Sequence, residues 1–183
     1  MIVIPPQRFT TMPWKNGGGV THEIVKRQDK GKLLWRFSVA DVTSDGPFSK
    51  FEGLSRILTV IEGGGLMLST PEGWIEALPF APVAFSGEVS VNSMRLNGNV
   101  QDFNVVYDAT RLAAEVSMER GILELEAQDD VLLQAVLLTG EAHMQHQPVA
   151  AGSFLLLRSQ TARVESTAPM LRVSLRTTAI AGS

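Results

Sequence analysis

Arginines set inside strand-like sequence are the first residues with the means to do chemistry. Trp35-Arg36-Phe37-Ser38-Val39-Ala40-Asp41-Val42 alternates, so a strand there puts Arg36, Ser38 and Ala40 on one face and Trp35, Phe37 and Val39 on the other. The large apolar residues claim the core side, which leaves Arg36 and Ser38 facing either water or the polar lumen of a barrel. Arg56 poses the same choice, because it opens Ile57-Leu58-Thr59-Val60-Ile61 directly after the tight segment Phe48-Ser49-Lys50-Phe51-Glu52-Gly53. A guanidinium fork is the side chain best shaped to clamp a carboxylate or phosphate, whereas a surface ion pair needs no site at all. Asp102-Phe103-Asn104-Val105-Val106 alternates too, with Asp102 and Asn104 on one side. That polar pair lines a pocket if its face points inward and is a solvated strand face otherwise.

The densest polar segment is Trp14-Lys15-Asn16-Gly17-Gly18-Gly19-Val20-Thr21-His22-Glu23-Ile24. Three consecutive glycines permit positive φ and close backbone approach, so their N–H groups can meet a ligand beside Lys15 and Asn16. A plain turn into the first strand explains the same residues. The segment is not a nucleotide P-loop, which needs Gly-Lys-Ser/Thr opening a helix, whereas Val20-Thr21-His22-Glu23 continues into β-like sequence.

These residues must be positioned by strands. Apolar blocks at Leu34 to Val42, Ser55 to Ile61, Leu66 to Ser69, Val83 to Phe85, Val89 to Met94 and Asp102 to Tyr107 are punctuated by Gly, Pro and Asn too often for long helices. Thr70-Pro71-Glu72-Gly73 reads as a hairpin tip. The only helical readings are a turn or linker over Ala109 to Met118 and a brief 3-10 turn within Ser44 to Leu54. The second half repeats the layout of the first: Leu132 to Leu138 then Thr139-Gly140 answers Ile57 to Ile61 then Gly63-Gly64-Gly65, and Leu171 to Leu175 answers Phe103 to Val106. One barrel unit written twice can close into paired barrels or a long sandwich, both of which hide strand edges. The expected fold is an all-β chain of two tandem double-stranded β-helix (cupin-like) barrels, a bicupin. Residues 1–108 form the first, carrying the ligand pocket, and 109–183 the second, read as structural because its strands carry no comparable polar cluster. The boundary falls near Asp108 to Leu112.

Composition excludes several functions. With 44% apolar residues among 183, the chain can bury a real core, so disorder is not expected. No cysteine is present, which removes disulfides, thiolate metal sites and cysteine nucleophiles. A net charge of -3 without a basic stripe argues against nucleic acid, and no apolar run is long enough for a membrane helix. The start of the chain lacks the layout of a signal peptide, so the cytoplasm is the expected location. Many cupin barrels hold a metal through a His-x-His pair, a later acidic ligand and a third histidine. That motif is missing: His143 and His146 are three apart, which on a strand sends them to opposite faces, and His22 has no histidine partner in its half. No metal or other cofactor is implied, and no Gly-x-Ser-x-Gly elbow supports a hydrolase.

Several segments together resemble the HutD family, also called HutD/Ves, of small bacterial bicupin-like proteins. They are Met12-Pro13-Trp14 through Ile24, Phe37 through Val42, Gly46-Pro47-Phe48 through Arg56, Glu62-Gly63-Gly64-Gly65 and Asp102-Phe103-Asn104-Val105, all in the first 107 residues. The second half resembles the family in layout only. The resemblance implies a double barrel and an association with histidine utilisation, in which a pathway acid such as formylglutamate or urocanate is bound and the pathway moderated; the Ves branch is linked to other physiology. By position it implies a pocket of Lys15, Asn16, Gly17, Glu23, Arg36, Ser38, Arg56, Asp102 and Asn104, with Trp14, Phe48 and Phe51 as apolar walls and no catalytic residue. The expected partner is therefore a small anionic metabolite held by a non-catalytic sensor. The alternative is a metal-independent enzyme acting on a small carboxylate, with Glu23 or Asp102 as general base. The oligomeric state is left open, a homodimer included.

Overall fold

The structure is a computed structural model that describes residues 1–178, so residues 179–183 of the expected second barrel lie outside the described residues. The chain begins with β1 (Ile2–Ile4), a 3-10 turn at Pro6–Arg8 and β2 (Thr10–Pro13), followed by β3 (Gly19–Asp29) and β4 (Lys32–Val42). Then come β5 (Gly46–Pro47), β6 (Ser55–Glu62), β7 (Leu66–Thr70), β8 (Gly73–Ala77), β9 (Val83–Ser86), β10 (Asn92–Arg95) and β11 (Val100–Tyr107). The rest is β12 (Leu112–Leu125), β13 (Val131–Leu138), β14 (Ala142–Met144), β15 (Gln147–Val149), β16 (Phe154–Leu157) and β17 (Ala162–Thr177). The chain is all-β, and among the described residues no helix is long and apolar enough to cross a membrane.

Two compact units result, Phe9–Asp108 and Met1–Arg8 with Ala109–Ser183. In Phe9–Asp108, a six-stranded sheet runs β2-β3-β4-β11-β6-β9 and a four-stranded sheet runs β5-β10-β7-β8. Lys30 and Gly31 both take positive φ at the β3–β4 turn, the geometry whose twist suits a two-residue hairpin. Thr70 to Gly73 closes the β7–β8 hairpin where the turn residues place it. One face of the six-stranded sheet joins the four-stranded sheet in a core of Val42, Phe48, Leu58, Val60, Leu66, Leu68, Ala77, Val91 and Val100. The other face buries Phe37, Val39, Phe103 and Val105, with the Phe37 and Phe103 rings stacked at 6.3 Å.

In the other unit, β12, β17, β13, β16 and β1 lie side by side, and β14 pairs with β17 and β15. Its core gathers Val136, Leu138, Leu155, Leu157, Val164 and Met170. Three expectations need correction. Residues 109–118 form no turn or linker beyond Arg111: β12 starts at Leu112 and pairs with β17 along its length, so cross-strand hydrogen bonds override a weak local pattern. The Ser44 to Leu54 segment holds no 3-10 turn, only the short β5 and a turn at Glu52-Gly53. The first eight residues, expected with the first barrel, belong to the C-terminal unit, because Ile2, Val3 and Ile4 pair with Leu156, Leu155 and Phe154.

Candidate functional site

Strand register assembles the site. In the β4–β11 pairing, Ala40, Ser38 and Arg36 stand opposite Asp102, Asn104 and Val106, and in the β11–β6 pairing those three stand opposite Val60, Leu58 and Arg56. Side chains directly opposite share a face. The inward face of the sheet is therefore apolar at one end, where Val42, Val60 and Val100 join the core, and polar at the other, where both arginines lie. A cavity of about 580 Å³ opens at the polar end, within the Phe9–Asp108 unit.

Trp14, Lys15, Asn16, Arg36, Ser38, Phe48, Phe51, Arg56 and Asn104 line it. Nine of the residues expected at a pocket thus meet at one wall. The wall also includes Met12, Pro13, Thr21, Ala40, Pro47, Ser49 and Val106, which sequence reasoning did not single out. Ala40 and Val106 were accessible through alternation, since they share a face with Ser38 and Asn104. Pro47 sits in the two-residue β5 and Ser49 in the loop after it, neither with a periodic signal.

Arg56 is the centre of the site. It is 7% exposed, its Nε donates to Asn104 Oδ1 at 2.8 Å, and its guanidinium lies 4.7 Å from the Phe48 ring centroid and 5.5 Å from that of Phe85. Among the described residues it makes no ion pair, and its direct partners are one neutral amide and two ring faces. Burial pulls the guanidinium down to about 10, with nearby Asp102 opposing and Arg36 reinforcing that change. Arg36 lies over Phe51 at 5.6 Å, with Nε 3.5 Å from Glu23 Oε2. That Nε is buried without a hydrogen-bond partner, and burial lowers the group against the pull of Glu23. Two guanidiniums at one wall, each short of acceptors, suit a ligand that brings oxygen anions.

Three expected residues do not line the cavity. Glu23 is held by Lys26 at 3.0 Å and by Arg36, so it positions the arginine. Asp102 is fully buried, where its Oδ1 accepts from the Asn104 amide and Oδ2 has no partner. Burial pushes its carboxyl up to about 6 from the ordinary 3.8, against the pull of Arg56 and of Asn104, with Asp41 adding to the rise. Gly17 is exposed at φ +71.

Two of the three glycine N–H groups expected to face a ligand are engaged elsewhere. Gly17 N donates to Trp14 O and Gly18 N to Asn16 Oδ1, closing the β2–β3 loop. At Gly19 an added Cβ would meet Asp41 O at 2.3 Å and the Trp14 ring at 3.1 Å, so this glycine permits close packing. The loop's contribution is to seat Trp14, whose indole N–H donates to Thr21 Oγ1 at 2.8 Å and whose ring meets Phe48 edge-on.

Many cupin barrels hold a metal. The polar groups at this wall, two guanidiniums, an ammonium, two side-chain amides and three hydroxyls, carry net positive charge and include no carboxylate or imidazole, so they do not fit a cation. His22 lies elsewhere, 2.8 Å from Asp41 Oδ2 and 3.1 Å from Thr11 Oγ1.

Fold and site define a cupin-like barrel protein with a cationic cavity. A cupin 2 conserved barrel domain protein from Leptotrichia buccalis aligns over 87% of this chain and 89% of its own with a TM-score of 0.54, at 10% identity, a likeness of fold alone. The chain belongs to the HutD family, whose family model matches residues 6–181. An uncharacterized 21.2 kDa protein in the hutC 3′ region of Pseudomonas putida is 38% identical over 144 residues, 76% of this chain and 73% of that protein. Protein Ves of Escherichia fergusonii is 33% identical over 106 residues, 56% of each. HutD from Pseudomonas fluorescens SBW25, whose structure was solved in a formate condition, superposes with a TM-score of 0.84 at 28% identity, covering 97% of this chain and 99% of that one.

Proposed function

We propose that this chain is a non-catalytic sensor that binds a small anionic metabolite, formylglutamate or urocanate, and moderates histidine utilisation. The observation that carries this reading is Arg56: a buried guanidinium on a cavity wall, with a second guanidinium beside it and no ion-paired carboxylate among the described residues. Family membership and the hutC-region relative supply the pathway. A cavity of about 580 Å³ falls in the range of small-molecule sites. Neither carboxylate suited to be a general base lines the cavity, which favours binding over turnover. We also read the chain as two cupin-like barrels in tandem, supported by its two compact units with separate cores.

Thermal unfolding with and without formylglutamate or urocanate tests the reading. A ligand at a hundred times its Kd stabilises the fold by about 2.7 kcal/mol, a rise of several degrees in Tm. Arg56→Ala should remove the rise while leaving a cooperative transition. No rise with either acid refutes the sensor, and NMR evidence that the acid is converted, with Glu23→Gln stopping it, makes the protein an enzyme.

A further inference from the structure

The unit built by Ala109 onward repeats the Arg–amide pair at the same place in its sheet. In β6 and β11, Arg56 stands opposite Val106 and Asn104 opposite Leu58, so guanidinium and amide meet diagonally. In β13 and β17, Gln134 stands opposite Ser174 and Arg172 opposite Val136, the same diagonal with the two side chains exchanged between strands. The third strand agrees as well: Ser38 faces Asn104 across β4–β11, and Ser117 faces Arg172 across β12–β17. Val136, Leu138, Leu157 and Met170 place this inward face against the unit's core, as Leu58 and Val60 do in the other unit. The polar cluster that the sequence reading did not find in the second half is therefore present.

Its hydrogen bonding is unfinished. Gln134 is 1% exposed and its amide N–H donates to Glu126 O at 2.6 Å, which fixes its Oε1 to accept from Arg172 Nη2 at 3.0 Å. Arg172 Nε is buried without an acceptor. Carboxylates near this end of the sheet are already engaged: Asp130 and Glu115 pair with Arg176 at 3.1 and 3.5 Å, and Glu119 accepts from Ser117. Among the described residues none pairs with Arg172. A guanidinium held on one side by an oriented amide and lacking an acceptor at Nε matches one carboxylate, whereas the first cavity offers two guanidiniums.

We propose that Arg172, oriented by Gln134 and beside Ser174, forms a second anion site, which takes a small monocarboxylate independently of the Arg56 cavity. Arginine Nε–Hε NMR on the full chain tests this, with acetate as probe, chloride at equal ionic strength as control, and Arg172→Lys to assign the signal. The Arg172 signal should move saturably with acetate and not with chloride, should still move in Arg56→Ala, and in Gln134→Leu should need about tenfold more acetate. A signal that stays still, or that follows chloride equally, overturns the site and leaves water as the Nε partner. A response lost in Arg56→Ala overturns its independence, and none of these results bears on whether the Arg56 signal moves with formylglutamate.

Discussion

Replacing Asp102 by asparagine separates burial from charge pairing at the heart of the site. The carboxyl is fully buried, with one oxygen on Asn104 and the other unpartnered, and it holds its proton to about pH 6, against 3.8 for an ordinary aspartate. The sign follows from linkage. A carboxyl whose folded value is raised favours the fold fully below the ordinary value and loses that contribution as pH rises through the folded value. A difference of about two pK units at 1.36 kcal/mol each makes the loss about 3 kcal/mol, spread between pH 4 and a little above 6. Chemical unfolding of wild type and Asp102→Asn across pH 4 to 7.5 cancels every other titration in the difference. Wild type should lose ground to the variant as pH rises, at no more than about 1.4 kcal/mol per pH unit. A flat difference, or wild type gaining with rising pH, would show that attraction to Arg56 outweighs burial and would refute the reasoning.

Further expectations follow from the same geometry. An anion beside Asp102 raises that carboxyl further, so affinity for formylglutamate by calorimetry should increase as pH falls from 8 to 6, by at most tenfold per unit, and should flatten in Asp102→Asn. Gly19→Ala forces a Cβ onto Asp41 O and should cost at least about 2 kcal/mol in denaturant unfolding, whereas Gly17→Ala meets no atom within 4 Å and should cost only the about 1 kcal/mol of its positive φ. Phe103→Ala, which removes a buried ring stacked on Phe37, should destabilise by about 4 kcal/mol. Trp14 lines the cavity, so ligand should change tryptophan emission in wild type and leave Trp14→Phe nearly silent.

Strand alternation made much of the site legible. Arg36, Ser38 and Ala40 share a face because period two is local, and Asp102 and Asn104 share one for the same reason. Which face points inward is not local: it depends on register with β6 and on the core that Leu58 and Val60 enter. The glycine segment was ambiguous because glycine serves turns, close packing and ligand contact alike, and only its neighbours at Asp41 and Trp14 decide. Long-range pairing hid the rest. Ile2 to Ile4 finds its partner in β16, 150 or more residues away, and β12 owes its length to β17. The Arg172 pair escaped notice because Gln134 and Arg172 exchange the strands that Arg56 and Asn104 occupy, so matching the halves residue type by residue type misses it.

A crystal structure with formylglutamate tests the central claim most directly. The account predicts a ligand carboxylate on Arg56, with Arg36 engaging the same molecule and the Trp14, Phe48 and Phe51 rings around its chain. A bound ligand that leaves Arg56 untouched, or a cavity that stays empty at saturating concentration, would contradict it.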